Sequence, residues 1–523
     1  MPSFFAQRSP SRAVVRPEVD DERTAIIDLG SNSFRLVVFA TRDGWWRRVD
    51  EIYEPVRIGA GLDETGTLSR EPIQRALAAV EVFASFCRAS GLEADDIDVV
   101  ATSAIRDATN RDEFLDAVTD ASGLDVRELS MEEEAHYGYL AAVNSTTLAD
   151  GAVLDLGGGS LQLVGVVGRL ATELGSWPLG AVRMSERFLT SGEPATRKQL
   201  KALRAHVADE LSGAPWLAST GRRLVALGGT ARNLAAAAQR LRDTPSFGVQ
   251  GYVIENDVLD ELVELLAGMS VAERGGVPGI KPERGDLILA GAAAIQGVVA
   301  AGGFDGVEVT EAGLREGIFF ERLLADSDPP LIDDVRARSV WNLAGQYGVD
   351  PEHTAHVARL ALNLFDDLAA AGLHPGDAIE RELLWSACTV HDIGVAVDYD
   401  DHHKHSRYLV LNGGLPGFSP REVALIGQAV RFHRKGTPNP GPFAALLREG
   451  DIAVLDRCAT LLRLAEDLER SRDQNVRAVH VVLDGDDVRL ELEADGDVSV
   501  PRWAAAREVD LFARAFGRRL VVV

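Results

Sequence analysis

Two stretches of this chain carry the same chemistry at matched positions. Asp28-Leu-Gly-Ser-Asn-Ser-Phe-Arg-Leu-Val37 and Asp155-Leu-Gly-Gly-Gly-Ser-Leu-Gln-Leu-Val164 agree at six of ten positions. Each follows an apolar run (Ala25 to Ile27; Ala152 to Leu154) and precedes another (Leu36 to Phe39; Leu163 to Val167), the pattern of a strand, a tight turn and a strand. Small residues in such a turn let successive backbone N–H groups converge on an anion, and an aspartate at the strand end can orient a metal ion or a water. Ser31 and Asn32 in one copy, and Gly157, Gly158 and Ser160 in the other, are therefore candidate phosphate contacts beside Asp28 and Asp155. Two facing copies would clamp a phosphate chain, and the repeat itself implies a duplicated domain.

Between the copies lie two further candidates. Arg106 follows the strand-like Ile97 to Val100 and precedes a helical stretch from Arg111, so its guanidinium is expected near a helix start, where free N–H groups also meet phosphate. Ser130-Met-Glu-Glu-Glu-Ala135 reads as a helix cap with an acidic first turn. It also supplies three carboxylates just ahead of the second turn, and hydrolysis needs one to take a proton from water.

The elements that must position these groups are bounded by size and composition. At 523 residues, 46% hydrophobic and 26% charged, the chain is a folded multidomain protein. The formal charge of −26 argues against nucleic acid as a partner. It also repels a polyanion at long range, so a phosphate site must gather arginines, backbone N–H groups and a divalent cation locally. The first twenty residues lack a signal-peptide core and read as a flexible leader, which points to the cytoplasm. The run Leu287 to Ala301 is interrupted by glycines and is too short for a membrane span, so a buried Ala-rich helix is expected there. Cys87, Cys388 and Cys458 are far apart and read as buried thiols. No Gly-x-x-x-x-Gly-Lys-Ser/Thr loop is present.

In order along the chain, Asp28 to Ser33, Thr102-Ser-Ala-Ile-Arg106, Ser130 to Ala135, Asp155 to Ser160, Leu227-Gly-Gly-Thr-Ala-Arg232 and Glu311-Ala-Gly-Leu-Arg-Glu-Gly317 resemble the motifs of the exopolyphosphatase / guanosine pentaphosphatase family, within the superfamily of actin, chaperones and sugar kinases. The resemblance implies duplicated actin-like (ribonuclease H-like) α/β domains with the active cleft between them. It implies Glu134 as the base on the attacking water, Asp155 in the metal- and phosphate-handling turn, Arg106 on phosphate, and Gly228, Gly229 and Thr230 as a further anion-facing loop. Gln162 stands where relatives often carry an acidic residue, so the expected ligands of magnesium or another divalent cation are Asp155 and Glu134, with Gln162 as an uncharged third. The expected reaction is attack of water on a terminal phosphoanhydride.

Eight of the eleven histidines fall between His353 and His433. The surrounding runs are helical, and helix-borne His and Asp can converge on a metal. This region resembles an HD phosphohydrolase-like domain, with His356, His391 and Asp392 as candidate ligands. Glu466 stands where such domains carry their closing aspartate, so a structural or ligand-binding role is expected for the region rather than hydrolysis.

The expected division is a leader (1–22), two actin-like domains (23–148 and 149–328), an all-α HD-like domain (329–474) and a small α+β domain (475–523). The expected activity is exopolyphosphatase, with guanosine pentaphosphate phosphohydrolase as the rival and a non-catalytic alarmone or polyphosphate sensor as the reading from another class. Partners are then polyphosphate or a phosphorylated guanosine nucleotide, with no nucleic acid and no membrane. A homodimer is expected from the resemblance.

Overall fold

The computed structural model describes residues 21–190 and 192–523. The leader expectation falls almost entirely outside them. The first sheet is built from β1 (Glu22–Leu29), β2 (Phe34–Arg42), β3 (Trp45–Glu54), β4 (Ile97–Ala101) and β5 (Arg127–Glu128), in the order β3-β2-β1-β4-β5. β1 pairs antiparallel with β2 and parallel with β4. The second comprises β6 (Gly151–Leu156), β7 (Leu161–Val167), β8 (Leu170–Trp177), β9 (Leu224–Leu227), β10 (Tyr252–Glu255) and β11 (Gly306–Val309), in the order β10-β11-β9-β6-β7-β8. β6 again pairs antiparallel with its hairpin partner β7 and parallel with the crossover strand β9. The repeat seen in ten residues is thus a repeat of whole sheets, with β10 added at one edge.

Strands covered on both faces need apolar side chains in both directions, which is why β1 and β6 read as near-continuous hydrophobic runs. Ile26, Val37 and Val100 of the first sheet and Val153, Val164 and Val225 of the second face one shared core. That core is filled by helices Met131–Val143 and Leu314–Leu323, through residues such as Leu140 and Phe319. Ala25, Ile27 and Leu29 point the opposite way and pack on Phe83 of helix Arg70–Ala89, as the two-residue period requires. Leu154, Leu163 and Ala226 do the same in the second sheet against helix Ile288–Gly302, the buried Ala-rich helix expected from the sequence. The two central helices approach so closely that a Cβ on Gly317 would lie 2.0 Å from the Tyr137 carbonyl oxygen.

Helices Val335–Gln346, Pro351–Ala370, Ala378–Val390, His402–Gly413, Pro420–Phe432 and Asp451–Leu468 form the third unit. The chain then makes β12 (Val476–Asp484), β13 (Asp487–Ala494) and β14 (Arg519–Val522). Val479, Leu490, Phe512 and Leu520 from this last part join the same hydrophobic cluster as the helices. Two helices, Ser499–Ala505 and Val509–Phe516, come between β13 and β14, and β14 lies parallel to β13. Cys87, Cys388 and Cys458 are free and buried. Among the described residues no helix is long and apolar enough to cross a membrane.

Candidate active site

Both phosphate turns, the start of helix Gly229–Leu241 and the start of helix Leu314–Leu323 meet around a cavity of about 150 Å³. Asp28, Ser31, Asn32, Glu134, Asp155, Gly157, Gly158, Ser160, Gln162, Gly228 and Gly229 all line it, as the sequence implied. The turns are in contact: a Cβ on Gly158 would stand 3.2 Å from the Ser31 Cβ, and one on Gly159 2.7 Å from the Ser103 Oγ. Ser31 and Ser103 hydroxyls hydrogen-bond at 3.1 Å.

Glu134 occupies the first turn of helix Met131–Val143, whose cap is the reciprocal Ser130 and Glu133 pair. Burial pushes its carboxyl up to about 7, against the pull of Arg106, which forms an ion pair with Oε1. Gln162 Nε2 donates to Glu134 Oε2 at 3.0 Å and to Ser160 Oγ at 2.8 Å. The amide N–H groups of Gln162 thus orient the carboxylate. Arg106, expected on phosphate, meets the same carboxylate. It does not line the cavity, and donates instead to Glu134 and to the Leu129 carbonyl oxygen at 2.7 Å. It is the last residue of the short helix Ser103–Arg106. Thr230 is buried with its side chain against Gly291 of the Ala-rich helix and does not line the cavity either.

Four arginines that the sequence reading did not assign supply the positive charge: Arg35, Arg232, Arg284 and Arg315. Burial, together with the neighbouring Arg315 and Arg35, lowers Arg232 to about 10, and burial lowers Arg35 and Arg284 as well. Like charges crowded out of water are an unfavourable arrangement that a bound anion relieves. Arg35, Arg232 and Arg315 lie inside the quoted motifs, so the signal was present. Arg284 had none, because its place depends on a distant glycine: its guanidinium lies where a Cβ of Gly229 would be, 2.3 Å from that point. Gly228, at φ 95°, starts the helix, and a Cβ there would stand 2.8 Å from the Leu156 carbonyl oxygen.

The acidic side of the cavity suits a hard cation. Arg315 Nη1 donates to Asp28 Oδ2 at 2.8 Å. The Asp155 carboxylate opens on the same space without a side-chain hydrogen bond among the described residues; burial is the main cause that raises it to about 6, and Asp28 adds to it. Burial raises Asp28 too. An all-oxygen set of partly uncompensated carboxylates is the donor chemistry that magnesium takes, and Asp155 with Glu134 and Asp28 would hold it.

The histidine-rich region resolves differently from its expected ligand set. His356 is engaged on both ring nitrogens, with the Val476 carbonyl oxygen at 3.0 Å and Arg359 at 2.9 Å. One turn earlier on the same helix, His353 takes the place expected of it beside His391 and Asp392.

Paired actin-like sheets with facing anion turns, an arginine cluster and a buried carboxylate define a phosphoryl-transfer cleft of the actin-like fold. Comparison with known proteins narrows this. Residues 37–326, more than half of the chain, match the sequence model of the Ppx/GppA phosphatase family, and residues 335–503 match that of Ppx/GppA phosphatase, domain III. The chain belongs to the Ppx/GppA phosphatase family. A family member from Aquifex aeolicus is 28% identical at a TM-score of 0.51, over 59% of this chain and 99% of that one. An exopolyphosphatase-like protein is 29% identical at 0.52, over 57% and 96%. An exopolyphosphatase from Cytophaga hutchinsonii shares the fold at a TM-score of 0.54 and 20% identity, over 58% and 98%.

Proposed function

We propose that this phosphatase is a magnesium-dependent exopolyphosphatase, releasing orthophosphate from the end of inorganic polyphosphate. The observation that carries the reading is the cavity itself: four arginines and two N–H-rich turns converge on a space whose lining, among the described residues, includes no aromatic side chain. Such a lining offers charge for a phosphate chain and no stacking platform for a purine.

Glu134, held by Arg106 and Gln162, accepts the proton of a water that attacks the terminal phosphorus. The bond from that phosphorus to the bridging oxygen breaks, and the shortened chain leaves as an anion. Arg35, Arg232, Arg284 and Arg315, with the turn N–H groups, balance charge on the transferred group. A magnesium ion on Asp155, Glu134 and Asp28 would neutralise phosphate oxygens. Glu134's high pKa keeps it a useful base near neutrality.

Phosphate release from long-chain polyphosphate and from guanosine pentaphosphate, side by side at matched concentrations of termini, tests the substrate. We expect kcat/KM at least ten-fold higher for polyphosphate. Preference for the nucleotide would move the chain to the pentaphosphatase branch, and release from neither would favour a sensor.

A further inference from the structure

In the helical unit, six side chains from five helix ends meet at one place. His353 and Glu466 come from the first and last turns of helices Pro351–Ala370 and Asp451–Leu468. His391 and Asp392 follow the end of helix Ala378–Val390, His402 begins helix His402–Gly413, and His433 follows Pro420–Phe432.

Backbone carbonyls hold three of the imidazoles and fix the tautomer of two, His391 and His433. Nδ1 of His391, His402 and His433 contacts the carbonyl oxygens of Cys388, Tyr399 and Val430 at 2.7, 2.9 and 2.7 Å. A carbonyl only accepts, so Nδ1 of His391 and of His433 carries the hydrogen and each of these rings, when neutral, aims a bare Nε2 lone pair inward, the arrangement that prepares a histidine to ligate; Nδ1 of His402 also has Arg434 Nη1 at 3.3 Å. The Nε2 atoms of His402 and His433 are 3.0 Å apart, and both face Asp392 Oδ1, at 3.3 and 3.9 Å. On the other side, Glu466 Oε2 is 3.2 Å from His353 Nε2 and 3.3 Å from His391 Nε2, and Asp392 Oδ1 is 3.6 Å from His391 Nε2. Despite burial, both nitrogens of His353, Nε2 of His391 and Oε2 of Glu466 make no well-formed hydrogen bond.

These separations are those of ligands sharing an ion. With metal–ligand bonds of about 2.1 Å, neighbouring donors on one ion stand roughly 3.0–3.5 Å apart. Arg472 occupies the other oxygen of Asp392, Oδ2, at 2.6 Å, so Oδ1 alone faces both groups of histidines. A cavity of about 190 Å³ lined by Asp392, His402, His433 and Glu466 gives a way in.

We propose that this cluster is a two-ion centre for first-row transition metals, separate from the phosphate cleft. One ion is held by His353, His391, Asp392 and Glu466, the other by His402, His433 and the shared Asp392. Imidazole donors select iron, cobalt, nickel or zinc over magnesium and calcium.

The full-length protein, stripped with a chelator and dialysed, is titrated with Co²⁺ in excess magnesium, which fills oxygen-only sites. Bound cobalt and its visible absorption are read together. Two equivalents per chain are expected, falling to one in His402→Asn and to none in Asp392→Asn, while Glu134→Gln keeps both. Fewer than two equivalents in the wild type would overturn the two-ion centre, and so would two equivalents retained by His402→Asn with a wild-type circular dichroism spectrum. Should Asp392→Asn not fold, the wild-type stoichiometry and the His402→Asn result decide. Because Glu134→Gln disables the cleft without touching this cluster, failure here and failure of the exopolyphosphatase reading are distinguishable.

Discussion

Glu134 stands between two opposed influences. Burial raises its carboxyl to about 7, and Arg106 works against that rise. Removing the arginine therefore makes proton loss harder. Arg106→Ala should move the acid limb of the kcat profile to higher pH and leave KM for polyphosphate within about two-fold, since Arg106 does not line the cavity. A raised KM with an unmoved limb would restore Arg106 to the phosphate-binding role that its sequence position suggested. The same carboxylates tie the cleft to stability. Glu134 and Asp155, raised to about 7 and about 6, favour the folded state when protonated, and that contribution is lost as pH rises through those values. Each shift corresponds to something on the order of 3 kcal/mol. Metal-free protein should thus melt lower at pH 8 than at pH 5, and magnesium should raise the melting temperature much more at pH 8. An equal magnesium effect at both values in calorimetry would show that these carboxylates do not hold the ion.

At the scale of elements, what could be read in advance was what local spacing determines. The duplicated turn announced β1-β2 and β6-β7, and Ser130 with the acidic turn after it announced the start of Glu134's helix. Contacts that depend on how elements pack gave no local signal. Arg284 reaches the cavity only because Gly229 leaves room for it, and His353 rather than His356 faces Asp392 because of the way its helix is rotated. Gly317 is of the same kind. It lets helix Leu314–Leu323, which carries Arg315 at its start, lie on the backbone of helix Met131–Val143, which carries Glu134. Gly317→Ala should force the pair apart, costing about 1–3 kcal/mol. It should also lower kcat, because the arginine and the base no longer share one frame. Unchanged melting and turnover would mean that the helices tolerate separation.

For the molecule as a whole, the balance of charge decides where a polyanion can settle. The chain carries a net −26, yet four arginines line one small cavity beside three carboxylates that suit a cation. Attraction is therefore local, made by buried guanidinium groups and backbone N–H groups, inside a field that is repulsive at distance. The two sheets that build the cavity share a core, so the phosphate turns are positioned by the packing of both halves and not by either alone.

The most direct test of the account is phosphate release from long-chain polyphosphate with magnesium by the wild type and by Glu134→Gln, which keeps the size of the side chain and removes its basicity. The account predicts a loss of roughly 10²–10⁴ in kcat with KM little changed. Turnover by Glu134→Gln close to that of the wild type would contradict it.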